Sequence, residues 1–130
     1  MSAAPSAAQP APQSAEDAVR AAVQRYVDGC VAADPAAVRD AFTEDAMMWG
    51  TLGPEAVTMS GADFAANVIA TAVPAGPEYG AEIHGIVVTG EIAHAVLDER
   101  QFLGADFRNH FGLVRREGVW RIASKVFTTR

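Results

Sequence analysis

Six side chains of this sequence could do acid–base chemistry if the fold gathers them: Tyr26, His84, Asp98, Arg100, Asn109 and Lys125. Asp98 suits a general base, or the group that orients one, with Arg100 two residues on to balance its charge. Asn109, Lys125 and Tyr26 carry donors that polarise a carbonyl or hold a developing oxyanion. Histidine is the usual proton shuttle near neutral pH, which adds His84. A desolvated Lys125 offers a second chemistry, Schiff-base formation. The same charges also admit a structural reading, in which Asp98 pairs with Arg100 and Lys125 snorkels its ammonium to a rim.

The elements that must position these groups follow from caps and periodicity. Ser14 with Asp17 reads as a capping-box variant, opening a helix to about Ala33 with Val19, Val23, Tyr26, Val27 and Cys30 on one stripe. Asp34-Pro35 supplies an N-cap and a first-turn proline for a second helix ending near Phe42. Residues 46–52 predict a strand, and Ser60 caps a third helix that stops before Pro74. Four strands follow, over 81–89, 92–103, 106–116 and 119–128. Helices first and antiparallel strands afterwards predict an α+β domain, residues 14–130, with helices on one face of a sheet.

Register decides which side chains meet, because a one-residue slip reverses every face. Gly104 at the first central position of Leu103-Gly104-Ala105-Asp106 predicts a type II′ hairpin, pairing Arg100 with Asn109. At Arg116-Glu117-Gly118 a three-residue loop with Gly118 in a bulge spares Glu117 a positive φ, and pairs Asn109 with Lys125. Arg100, Asn109 and Lys125 then form one row, with Asp98 on the same face beside Phe111. Phe102, Phe107 and Phe127 provide its apolar surround, and Met48, Trp49 and Phe64 are further candidates for contact with a ligand. The opposite face is expected to carry Trp120, Ile122 and Val126, with Glu99, His110 and Ser124 in a row. Its apolar character points to a subunit interface through Trp120 and Ile122. The Thr89-Gly90-Glu91 turn admits two loop lengths, so the direction of His84 stays open. Glu44 and Asp45 are expected to be solvated.

Composition narrows the function. Net charge is −6 and the isoelectric point about 4.9, which disfavours a nucleic-acid binder. No apolar run reaches the roughly 20 residues that span a bilayer. The single cysteine, Cys30, permits no intrachain disulfide, and the three histidines lack the spacing of a metal site, so neither metal nor cofactor is expected. Residues 1–13 are Ala/Pro/Ser-rich without a secretory h-region. They read as a disordered tail on a cytoplasmic protein.

The whole layout resembles the nuclear-transport-factor-2-like (NTF2-like) superfamily over about residues 15–128, nearest its lumazine-binding and SnoaL-like polyketide cyclase branches. The resemblance is carried by the long helix, AADPAAVRDAFTEDA, a strand, a third helix and a four-strand meander ending REGVWRIASKVF. It implies a cone in which a curved antiparallel sheet and three N-terminal helices on its concave face enclose a pocket, the other sheet face serving a homodimer. Asn109 and His84 match pocket residues of scytalone dehydratase, while Gly50 stands where that enzyme has a tyrosine and ketosteroid isomerase its aspartate. Cys30 stands near the dehydratase's other tyrosine. Asp98 and Arg100 resemble, in reverse order, a pair in limonene epoxide hydrolase. These likenesses imply a cofactor-independent dehydratase, cyclase or isomerase (a lyase or isomerase) acting on a small hydrophobic carbonyl or hydroxyl compound. A non-catalytic binding protein and an epoxide hydrolase are the alternatives.

Overall fold

The computed structural model describes residues 14–130; the predicted Ala/Pro/Ser tail lies outside the described residues. Helix α1 spans Ala15–Val31 and α2 spans Pro35–Ala41. Both begin at the caps legible in the sequence: Ser14 Oγ accepts from the Asp17 amide at 3.1 Å, and Asp34 Oδ1 from the Ala37 amide at 3.2 Å. These bonds satisfy amides that the helix itself leaves unpaired. The third helical segment is less regular. Ser60 caps a single turn, α3 (Gly61–Asp63), which continues as a π-helical turn over Phe64–Val68 and a 3₁₀ turn over Ile69–Thr71.

The strands are β1 (Phe42–Leu52), β2 (Glu55–Ser60), β3 (Gly80–Thr89), β4 (Ile92–Phe102), β5 (Ala105–Arg116) and β6 (Val119–Thr129). They form one curved, unclosed sheet in the order β2-β1-β6-β5-β4-β3. All neighbours are antiparallel except β1 and β6. Strand β2 was not expected: Gly53, with φ +56°, turns the chain so that Leu52 pairs with Glu55. The helices lie on the concave face. The α1 stripe of Val19, Val23, Tyr26 and Val27 is buried there against Phe111, Leu113 and Ile122. At about 25 cal/mol per Å² of apolar surface removed from water, such a stripe is the main force docking the helix.

All four hairpins use two-residue loops, and bulges then reset the faces. At β4–β5 the turn is Leu103-Gly104, with φ +51° and +85°, so Phe102 pairs with Ala105. A bulge follows, with Arg100 and Gln101 facing Asp106 alone. Gln101 sits at φ +54° and donates its amide to Asp106 Oδ1 at 2.9 Å. Beyond it Glu99 pairs with Phe107, Asp98 with Arg108 and Leu97 with Asn109. The expected pairing of Arg100 with Asn109 is therefore wrong. The displaced turn alone would have kept the faces, and the bulge reverses them. Asp98 and Arg100 lie on the convex side, and Glu99 points inward.

At β5–β6 the loop is Glu117-Gly118, with φ +53° and +78°. Glu117 accepts the left-handed conformation, at a cost of roughly 1–2 kcal/mol, because a turn of this twist suits the flanking strands. This corrects the three-residue loop. Taken alone, the shorter loop would turn Lys125 outward. A second bulge, at Ala123, restores it: Phe111 pairs with Lys125 and Asn109 with Phe127. Before that bulge Ile122 lies opposite Leu113 on the concave side, so Trp120 and Ile122 are 4% and 0% exposed beneath α1. They cannot form the partner surface expected of them. The convex face instead exposes Trp49, Val126 and His110.

Candidate functional site

Helices and sheet leave a cavity of about 80 Å³ between β1, β2, the π-helical turn and the ends of β4–β6. That is room for a handful of waters or a small ligand. Met48, Phe64, Phe102, Phe107 and Phe127 line it, and half-exposed Leu52 and Leu103 stand where it meets solvent. Its polar groups are Glu99, Asn109 and Lys125, exposed by 2%, 1% and 4%. An irregular π-turn at such a wall is a common accompaniment of binding sites.

Lys125 Nζ donates to the Tyr26 hydroxyl at 2.8 Å and lies 4.5 Å from the centre of the Phe64 ring and 4.9 Å from that of Phe127. An ammonium gains from those ring faces. Burial nevertheless pushes its pKa down, opposed by the charge of Glu99. Glu99 accepts from Asn109 Nδ2 and from the Tyr79 hydroxyl, each at 2.9 Å. Burial raises its pKa despite these bonds and the charge of Lys125. Among the described residues no ion pair within 4 Å joins Glu99 to Lys125. Each charge is thus desolvated without being neutralised by contact, a state usual for functional groups and costly for purely structural ones.

Other predicted residues lie elsewhere. Tyr26 sits behind Lys125, fully buried, with Phe111 packed edge-on at 5.3 Å, so both support the cavity wall rather than line it. Trp49 is 45% exposed and faces away from the cavity. His84, opposite Val96, joins Asp98 on the convex side. There Arg108 holds the Asp98 carboxylate through Nε at 2.7 Å and Nη2 at 2.8 Å. His84 Nε2 lies 2.9 Å and Arg130 3.4 Å from the same carboxylate. The Arg108 bonds drive the Asp98 pKa well below the carboxylate range. Asp98 and Arg100 therefore cannot act in this cavity, and the epoxide-opening pair is not assembled there.

Glu99 is the residue that sequence reasoning missed, having been assigned to the outer face. The alternation Ala93, Ala95, Leu97, Glu99 was available as a signal for an inward-facing set. Gly50 also finds its reason here. A Cβ at that position would fall 2.4 Å from the Phe127 carbonyl oxygen and 2.5 Å from its ring, so the space beside Gly50 is filled by Phe127. A larger surface depression, about 960 Å³, runs between α2 and the β5–β6 turn. Its Asp40, Glu44, Asp45, Arg116 and Glu117 are exposed and of both signs, which gives it no desolvated group to do chemistry.

The profile of the family described as "Putative lumazine-binding" matches residues 14–128. The chain belongs to this family. Its fold is that of the NTF2-like superfamily, as solved structures show. An NTF2-like protein of unknown function from Silicibacter pomeroyi is 26% identical over 100% of both chains, with a TM-score of 0.79. Another, from Shewanella baltica, is 28% identical over 87% of this chain and 91% of that one, at 0.74. A ketosteroid isomerase-like protein from Erwinia carotovora atroseptica shares the fold at 21% identity, covering 86% and 93%, at 0.69. A search of curated proteins finds no match. As an NTF2-like protein, the chain places its cavity between helices and the concave sheet face.

Proposed function

We propose that this NTF2-like protein binds a small hydrophobic carbonyl compound in the concave cavity and moves a proton on it. Glu99 is the base and Lys125 the group that holds the carbonyl oxygen. The observation that carries this reading is the pair of buried, uncontacted opposite charges on one apolar wall. As Glu99 removes a proton from carbon next to the carbonyl, negative charge grows on oxygen, where the Lys125 ammonium offsets it. Return of the proton at another carbon gives isomerisation; loss of a β-hydroxyl gives dehydration. Tyr26 fixes the ammonium and Tyr79 steadies the carboxylate. The ketosteroid isomerase-like neighbour is consistent with chemistry of this kind.

The test is exchange of α-protons of cyclic ketones in deuterated water, followed by NMR. Catalysed exchange that disappears in Glu99→Gln is expected, and exchange no faster than in buffer for every ketone tried would defeat the catalytic reading. A second reading, binding without turnover, is favoured by one observation: both Glu99 oxygens already accept hydrogen bonds, which makes it a weaker base. A ligand recovered unchanged from the cavity after long incubation would support it, as the name of the family does.

A further inference from the structure

Among the described residues, one buried side-chain polar atom has no partner: Asn109 Oδ1. Its orientation is not arbitrary. Nδ2 donates to Leu97 O at 3.1 Å and to Glu99 Oε1 at 2.9 Å, both acceptors, so turning the amide would set oxygen against oxygen twice. The free lone pairs therefore belong to a residue that lines the cavity. On the next strand Asn109 pairs with Phe127 and Phe111 with Lys125, which makes Asn109 and Lys125 diagonal neighbours on one face. An ammonium has three N–H donors, and Lys125 spends one on Tyr26. One wall thus offers an acceptor and a donor side by side, both out of bulk water.

Resting on the cavity as the ligand site, we infer that the preferred ligand carries a carbonyl with an N–H or O–H on the neighbouring atom. A cyclic amide or imide edge, or a hydroxy-ketone, has this pattern. The carbonyl accepts from Lys125 while the neighbouring donor serves Asn109 Oδ1. A ketone without that donor expels the water that could serve Asn109 and puts nothing in its place. A site built to pair a donor rejects analogues lacking it for this reason.

Succinimide and N-methylsuccinimide test the inference, since they share both carbonyls and differ in the single N–H. Each is titrated into the full chain, with the Asn109 side-chain amide and the Lys125 signals followed by NMR. Succinimide is expected to shift both sets and to bind about tenfold or more tightly than its methylated analogue. In Asn109→Leu the two should bind alike. Should that variant fail to fold, the comparison in the natural sequence decides alone. Equal affinities, or no binding of either imide at its solubility limit, overturn the inference. The outcome is separable from that of the proton-transfer reading. Ketone exchange without imide preference removes only the donor–acceptor pattern, and imide preference without any exchange removes only the catalysis.

Discussion

Each face of the sheet sets a carboxylate near positive charge, Asp98 on one side and Glu99 on the other, and the two faces treat it in opposite ways. On the convex side Asp98 is gripped by Arg108, His84 and Arg130, with partners that are 40% exposed or more. Every interaction deepens its ionised state except partial burial. On the concave side Glu99 and Lys125 are buried, do not touch, and have pKa values moved toward each other. A satisfied pair is already at its free-energy minimum and has nothing to give a ligand. An unsatisfied one gains when a ligand enters, so charge that looks worse for stability is better placed for function.

The comparison is sharpest in Glu99→Gln. Losing the base should slow α-proton exchange by about a hundredfold or more. The fold should become more stable at neutral pH, since the raised pKa of Glu99 stabilises only the protonated form. That contribution is complete below the unfolded carboxylate value, about 4.3, and is lost as pH rises through the folded value. Thermal melts at pH 4 and pH 8 should thus show a difference between variant and parent that grows with pH; a constant difference breaks the contrast between faces. Lys125→Met comes next. Carbonyl ligands should bind about tenfold to a hundredfold more weakly, with a loss of folding stability at neutral pH, because Glu99 stays buried without the opposing ammonium and the Tyr26 hydroxyl loses its donor. Calorimetric titration and melting together check it.

Asp98→Asn should do the reverse, leaving exchange unchanged and costing about 1 kcal/mol of stability, reduced by the solvent that reaches its partners. Its lowered pKa fixes the sign. The contribution is present above the unfolded value of about 3.9 and fades as pH falls through the folded one, so the variant should converge with the parent in acid. Denaturant titrations at neutral and acidic pH read this directly. The smallest effect is expected at Trp49, exposed on the convex face. Trp49→Ser should leave ligand affinity and α-proton exchange within about twofold of the parent, which calorimetric titration and NMR check.

Much of the fold was legible from local chemistry. The caps Ser14, Asp34 and Ser60 stand where they were expected, because a cap is settled within three residues of itself. Of the candidate site, Lys125 and Asn109 do share one face, though the route differed from the expected one: the shorter loop at Glu117-Gly118 and the bulge at Ala123 each reverse the face, and together they cancel. At β4 only one reversal occurs, at Arg100-Gln101, and it exchanged Asp98 for Glu99. Neither bulge carries a glycine on its bulged strand to announce it. Trp120 was misplaced for the same reason: the bulge at Ala123 puts Trp120 and Ile122 on the face of Lys125 rather than opposite it.

The sequence by itself therefore determined the α+β order, the helix starts, the inward aromatic set of Phe64, Phe102, Phe107 and Phe127, though not Trp49 or Phe111, and the presence of a lysine and an asparagine near one another late in the chain. Each of these depends on neighbours within a turn or a strand. Tertiary structure alone decided that Glu99, not Asp98, shares the cavity with Lys125, and that Asn109 keeps an unpaired oxygen there. A bulge exists only where packing of the whole sheet against its helices outweighs the local ladder bonds it breaks, and one inserted residue is enough to send a charge to the other side.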